Sequence, residues 1–215
     1  FYPPQKNSTF KFMMKAIRNE ITLYKLLVKT IFGFSLKLNP LNVTAFPDFI
    51  WSRLFAKTLK PSQKLKIQSC TYVILEFSKK ICYRCGLIGR KFGLSNAFPK
   101  VDTRDYDVFI TQTPFPGRVS KNTTLIVRYH DAIPLLLPYT VKDRAFHLRT
   151  HFYPLKQNVK DGAIFACVSE STKRDLLRFF PQAKAVVIHN FISENYVEAK
   201  LPSLNILEIL RSRLH

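Results

Sequence analysis

Apolar and polar positions follow two different rhythms along this chain. In the first, Phe10, Met13, Met14, Ile17, Ile21, Tyr24, Leu27, Val28 and Ile31 recur at spacings of three and four. Lys11, Lys15, Arg18, Lys25 and Lys29 largely occupy other faces, so the pattern predicts a basic amphipathic helix from Phe10 to Phe34. Asn39-Pro40-Leu41-Asn42 breaks it, and Pro47-Asp48 opens a second helix, Phe49 to Leu59. Residues 62–92 are read as one long helix, although Ile67–Phe77 carries strand-like side chains. Gly86, Gly89 and Gly93 around Arg90-Lys91 fit neither G-x-G-x-x-G nor G-x-x-x-x-G-K-[ST], and mark a helix end and a turn.

The second rhythm is that of short apolar runs with polar residues at their C-terminal ends. Tyr106–Ile110 predicts a strand, followed by the Pro/Gly loop Thr111–Arg118, where Pro116 and Gly117 are candidate binding residues. Thr124–Tyr129 is the next strand and ends in Arg128-Tyr129-His130-Asp131. A helix from Val141 to about Leu155 and the turn Asp161-Gly162 lead to a strand over Ala163–Val168. Ser169, with Thr172 as a second candidate, caps a helix Glu170–Phe180 that Pro181 stops. The last strand, Ala185–Ile188, ends in His189-Asn190, and Leu204–Leu214 reads as a final short helix. Strands separated by helices predict an α/β fold: a Rossmann-like, doubly wound parallel sheet with its ligand crevice outside the strands' carboxyl ends. Residues 1–100 are then a basic, mainly helical region, and residues 101–215 the Rossmann-like half.

Charge sharpens that division. Residues 1–100 hold 18 Lys/Arg against 3 Asp/Glu, a net +15, whereas residues 101–215 hold 16 against 11, a net +5. A basic half implies an anionic partner: a membrane surface, nucleic acid or a phosphorylated substrate. No uncharged apolar stretch reaches the roughly 18 residues that span a bilayer. The amphipathic helix suits either the surface of an anionic bilayer or a protein core with a solvated basic face. The former predicts a cytoplasmic protein, peripheral on the inner face of a membrane. Cys82-Tyr83-Arg84-Cys85 lacks two further zinc ligands nearby, and structural thiols in a reducing compartment are the simpler reading. His147 and His151 lie one helical turn apart, but neither the Glu of H-E-x-x-H nor a third ligand accompanies them, so no metal is expected. Phe1 stands where an intact chain has Met, and the sequence reads as a piece of a longer protein.

Two places carry candidate chemistry. His130-Asp131 at a strand end sets an imidazole toward the crevice with a carboxylate to orient it, although a metal site or a plain turn has the same two residues. Ser169-Glu170-Ser171-Thr172 opens a helix whose free N–H groups can hold an anion or an acceptor hydroxyl, or whose side chains simply cap it. No G-x-S-x-G surrounds Ser169, which argues against a nucleophilic hydrolase.

Taken in order, Tyr106-Asp107-Val108-Phe109, Val127-Arg128-Tyr129-His130-Asp131-Ala132-Ile133-Pro134, Cys167-Val168-Ser169-Glu170-Ser171-Thr172-Lys173-Arg174-Asp175-Leu176 and Val187-Ile188-His189-Asn190 resemble the acceptor-side domain of GT-B glycosyltransferases. The similar group is the retaining family 4, or glycosyl transferase group 1, enzymes, many of them mannosyltransferases. The resemblance covers residues 106–195. It implies transfer of a sugar from a GDP- or UDP-sugar to a hydroxyl of a glycan or lipid-linked acceptor. It also implies that His130, with Asp131, lies near the transferred sugar, that Ser169, Glu170, Ser171 and Thr172 line the cleft, and that Asn190 sits near the crossing to a second domain. Arg128 joins them as a cleft residue. The family's first strand with its Gly-rich loop is not visible, and no Glu has another eight positions later, so the E-x7-E element of the donor-binding C-terminal domain is absent. The chain is expected to bind no cofactor itself and to be inactive alone. The contrasting reading is a non-enzymatic basic module on anionic membrane or nucleic acid, the latter without any zinc finger, RNA-recognition signature or helix-turn-helix.

Overall fold

The computed structural model describes residues 6–190, so the expected helix over 204–214 lies outside them. The described residues fall into two compact units, one built from the chain up to Leu41 and from Tyr72 to His189, the other holding Asn42–Thr71.

In the first unit, helix α1 runs Lys6–Ile31. Gly33, at φ +74°, ends it: the N–H of Phe34 donates to the Lys29 carbonyl (2.9 Å), a left-handed stop that favours glycine. Strand β1 (Ser35–Leu36) follows, then β2 (Leu38–Pro40). The second unit contains helix α2 (Phe46–Ile50), continued by one π-helical turn over Trp51–Phe55, and helix α3 (Lys64–Gln68). Asp48 ties the two together, accepting from Gln68 (2.9 Å) and pairing with Lys64 (3.3 Å). None of these helical segments contains a fully buried residue.

Residues 62–92 are not one helix. The chain forms α3, then strand β3 (Val73–Leu75), antiparallel to β2, then helix α4 (Lys79–Lys91), capped by Ser78. The β-branched Val73 and Ile74 and the cap at Ser78 divide a segment whose basic residues had suggested continuity. Of the three glycines read as a turn, only Gly93 ends the helix, at φ +74°. Gly86 and Gly89 lie inside it and are buried. A Cβ on Gly86 would fall into the Phe98 ring, and one on Gly89 would stand 3.1 Å from the Ala97 backbone, so hydrogen at these positions lets Ala97-Phe98 lie against α4. Leu23, Leu26 and Leu27 of α1 pack with Leu36, Phe77 and α4's Ile81, Cys82 and Cys85 in a first core. The CxxC thiols are part of that core: burial pushes Cys82 up to about 12, and Cys85 lies 3.4 Å from the Thr30 hydroxyl.

Strand β4 (Lys100–Val101) pairs in parallel with β1. The remaining strands, β5 (Val108–Thr111), β6 (Thr124–Tyr129), β7 (Ile164–Cys167) and β8 (Lys184–Val187), form one parallel sheet in the order β5-β6-β7-β8. The protein is thus α/β with a four-stranded parallel sheet. Short helix α5 (Ile133–Leu136) and long helix α6 (Arg144–Lys160) connect β6 to β7, and helix α7 (Glu170–Phe179) connects β7 to β8. α6 runs beyond Leu155, carrying the buried Pro154 inside it, and stops before Gly162, at φ +80°.

Strands added always on the same side, through right-handed crossovers, place α6 and α7 on one face. Phe152 of α6 and Phe180 after α7 meet there at 5.8 Å between ring centroids. Leu125, Val127, Tyr129, Phe165 and Cys167 from the sheet pack with Leu155, Val159 and Leu176 in a second core. These four strands therefore wind in one direction, without the reversal that makes a doubly wound sheet. The alternate positions face the other way, and Ile110 (64%) and Ile188 (53%) there are largely exposed.

Candidate functional site

The carboxyl ends of β6, β7 and β8 bring most of the anticipated residues to one edge. After Tyr129 the chain leaves the sheet, and His130 and Asp131 are exposed. The Asp131 carboxylate accepts from the N–H of Ile133 (2.9 Å) and so fixes the turn into α5. The Thr172 hydroxyl donates to the His130 carbonyl (3.2 Å), tying the β6 end to the first turn of α7. Ser169 is the cap: extended at φ −158°, its Oγ accepts from the N–H of Thr172 (3.1 Å) and lies 3.0 Å from Thr172 Oγ1. Thr172 is not a second cap but the residue that Ser169 caps. Ser169 and Thr172 thus build the edge, while Glu170 and Ser171 of the same turn are exposed. His189, beyond β8, lies with Nδ1 3.2 Å from the Val168 carbonyl and is exposed beside them. The edge therefore presents two imidazoles, two carboxylates and a helix N-terminus, groups able to bind sugar hydroxyls and to move a proton.

Beneath that edge is a buried pair. The Tyr129 ring is almost wholly enclosed, and its hydroxyl lies 3.3 Å from His151 Nε2. Burial raises the phenol of Tyr129, and the neighbouring Asp131 carboxylate adds to the rise. Burial lowers His151 to about 4, while Asp131 works against that fall. The imidazole is accordingly neutral at physiological pH and held by the phenol. Cys167 is no nucleophile either, since burial drives its thiol up to about 11.

The loop after β5 is more structured than its composition suggests. Buried Asn158 clamps it, accepting from the N–H of Phe115 (2.8 Å) and donating to its carbonyl (3.0 Å). Phe115 packs on Phe109 at 5.1 Å, and a Cβ on Gly117 would press on the Phe115 ring at 2.8 Å. Pro116 and Gly117 line a largely apolar cavity of about 310 Å³ whose walls include Phe77, Cys82 and Val101. Lys79, at the start of α4, stands at its rim and donates to Thr113 Oγ1 (2.7 Å), its ammonium lowered by partial burial. The hydroxyl of Thr111 is buried in the same wall without a hydrogen-bond partner. A second space of about 690 Å³ between α4 and α6 shares Lys79, Thr113 and Pro114 and reaches His147 and His151. The two spaces meet at the Lys79–Thr113 hydrogen bond, so one cation serves both.

The structure does not gather every anticipated residue. Arg128 lies inside β6, paired in register with Ala166 and on the face opposite Tyr129, rather than at the strand's end. Asn190 is the last described residue and follows His189. Lys11, Lys15, Arg18 and Lys25 are exposed on α1, whereas Lys29 pairs with Glu76 (3.1 Å) over the Phe77 ring. Among the described residues no group of three or more His, Cys, Asp or Glu is arranged to hold a metal ion, and no helix is long and apolar enough to cross a membrane. Lys79, Thr111, Thr113 and Tyr129 were not anticipated. Thr111 and Thr113 sat in a loop already marked as a binding segment, and only the fold brings Lys79 to it from 34 positions away. Comparison with protein-family models, with curated proteins and with solved structures returns no match for this chain.

Proposed function

We propose that this chain is the acceptor-side part of a retaining GT-B glycosyltransferase of the family 4, or group 1, kind, moving a hexose of the mannose class from a GDP- or UDP-sugar to a hydroxyl of a glycan or lipid-linked acceptor. The observation that supports it is the edge formed where His130-Asp131 follows β6 and Ser169 caps α7, joined by the Thr172–His130 hydrogen bond. Sugar transfer needs groups that orient hydroxyls and exchange one proton, and that edge offers His130, Asp131, Glu170, Ser171 and His189. In the overall reaction the acceptor oxygen bonds to the anomeric carbon, the bond to the nucleoside diphosphate breaks, and the acceptor's proton is released. The Lys79-rimmed cavity offers apolar walls and one cation to an acceptor that carries a phosphate or an apolar aglycone. The donor belongs to a further domain, with the E-x7-E element that this chain lacks, so the chain alone has no turnover.

The test is transfer of radiolabelled sugar by the product of the intact coding region, set against this chain alone. The reading predicts transfer by the former, none by the latter, and a loss of about 100-fold or more for His130→Ala, the scale of a lost proton-transfer group. Absence of any nucleotide-sugar consumption by the intact protein would overturn it.

A further inference from the structure

Helix α1 is far longer than its contact with the fold requires. Among its described side chains, only Leu23, Leu26 and Leu27 are buried, against Leu36, Phe77 and α4. Every residue from Lys11 to Ile21 is exposed. Along a side that does not pack lie Met14 (51% exposed), Ile17 (50%), Ile21 (52%), Tyr24 (66%), Val28 (52%) and Ile31 (59%). Their spacing of three, four, three, four and three aligns them in one stripe about 26 Å long at 1.5 Å per residue. At 100° per residue, Lys11, Lys15, Arg18 and Lys25 fall in the sector between that stripe and the buried edge. The other border of the stripe is held down: Glu20 pairs with Arg84 of α4 at 2.9 Å. Lys29, bound to Glu76 and seated over Phe77, secures the end of the helix. The fold thus grips α1 by one edge and presents the stripe with its row of cations outward.

We propose that this stripe is a docking surface for an anionic lipid bilayer, on which α1 lies parallel to the membrane plane. Met14, Ile17, Ile21, Tyr24 and Val28 enter the boundary between headgroups and acyl chains, and Lys11, Lys15, Arg18 and Lys25 meet the headgroup phosphates. An apolar stripe flanked by cations is what interfacial binding requires. Charge selects this occupant. A second copy would bring its own row of cations and a net charge of +20 against an equal one, a repulsive pairing. Nucleic acid would use the cations and leave the apolar stripe in water. The inference stands on α1 alone and does not depend on the sugar-transfer reading.

The experiment is co-sedimentation of the chain with vesicles of phosphatidylcholine alone and of phosphatidylcholine mixed with phosphatidylglycerol. The mixed vesicles are expected to bind the chain and the neutral ones to leave it in solution. Raising salt to roughly 1 M, where the screening length falls to about 3 Å, should release most of it. Lys11→Ala with Arg18→Ala should weaken binding about fivefold per charge removed. Ile17→Glu with Ile21→Glu should abolish it while leaving the thermal unfolding midpoint near that of the wild type, since both positions are half exposed. Equal binding to neutral vesicles, or wild-type binding by the double glutamate variant, would overturn the proposal. So would a wild-type chain that sediments as a dimer in lipid-free solution when the Ile17→Glu, Ile21→Glu variant is monomeric, because a second copy would then own the stripe.

Discussion

Helices α7 and α1 are both amphipathic, and they make opposite use of it. α7 buries Leu176 completely, tucks Thr172 under the sheet edge and keeps Glu170, Arg174 and Arg178 in solvent. α1 buries a three-leucine edge and leaves its longer apolar stripe in water. Periodicity alone reports that a helix has an apolar side; it does not report what covers that side. On the face of the sheet that α6 and α7 pack against, the covering is supplied by the chain itself. In α1 it is not, and that difference is what directs attention to an external surface.

The contrast predicts unequal costs for similar substitutions. The largest belongs to the sheet core. Phe165 is fully buried on β7, and Phe165→Ala should lower the unfolding free energy by about 3–5 kcal/mol in urea titration. Acid should weaken the same region through His151. Because burial holds its folded-state value at about 4, below the ordinary 6.5, the folded chain binds fewer protons than the unfolded one between those values. Its contribution is complete above about pH 6.5 and disappears as the pH falls to about 4, a loss on the order of 3 kcal/mol. Asp131 and His147 stand beside it, so the check is whether His151→Gln flattens the urea midpoint over that window.

Closer to α1, Gly86→Val would force a branched side chain into the Phe98 ring and should cost about 1–3 kcal/mol in thermal or urea unfolding. Ser169→Ala removes the cap of α7 and should cost about 1 kcal/mol, read the same way. The smallest effect belongs to the stripe: Val28→Ser should change stability by less than about 0.5 kcal/mol, as for a surface site. A loss as large as that of Phe165→Ala would erase the comparison, because it would mean that the stripe is core.

What the sequence made legible follows the same physics. Strand β6 was placed residue for residue, and β7 to within a residue or two, because each buries alternate side chains and ends in polar residues at a turn. Ser169 as a cap was equally readable, since an extended Ser before a helical run has one simple use. Strands β1, β2, β3 and β4 were not foreseen, being two or three residues long and too short to show alternation. The single long helix over 62–92 failed because scattered lysines carry no period, while Val73-Ile74 and Ser78 carried the true break. At the site, His130, Asp131 and Ser169 were visible as strand-end residues. The pairing of Tyr129 with His151 and of Lys79 with Thr113 joins distant segments and becomes apparent only in three dimensions. Arg128, one residue before the end of β6, faces the side of the sheet opposite Tyr129, an orientation that the alternation of the strand sets.

The most direct test of the central contrast is amide hydrogen exchange of the whole chain, free and with anionic vesicles. The account predicts slowed exchange confined to residues 6–31, with β5–β8 unchanged. Unchanged exchange in α1, or slowing centred on the exposed face of the sheet at Ile110 and Ile188, would contradict it.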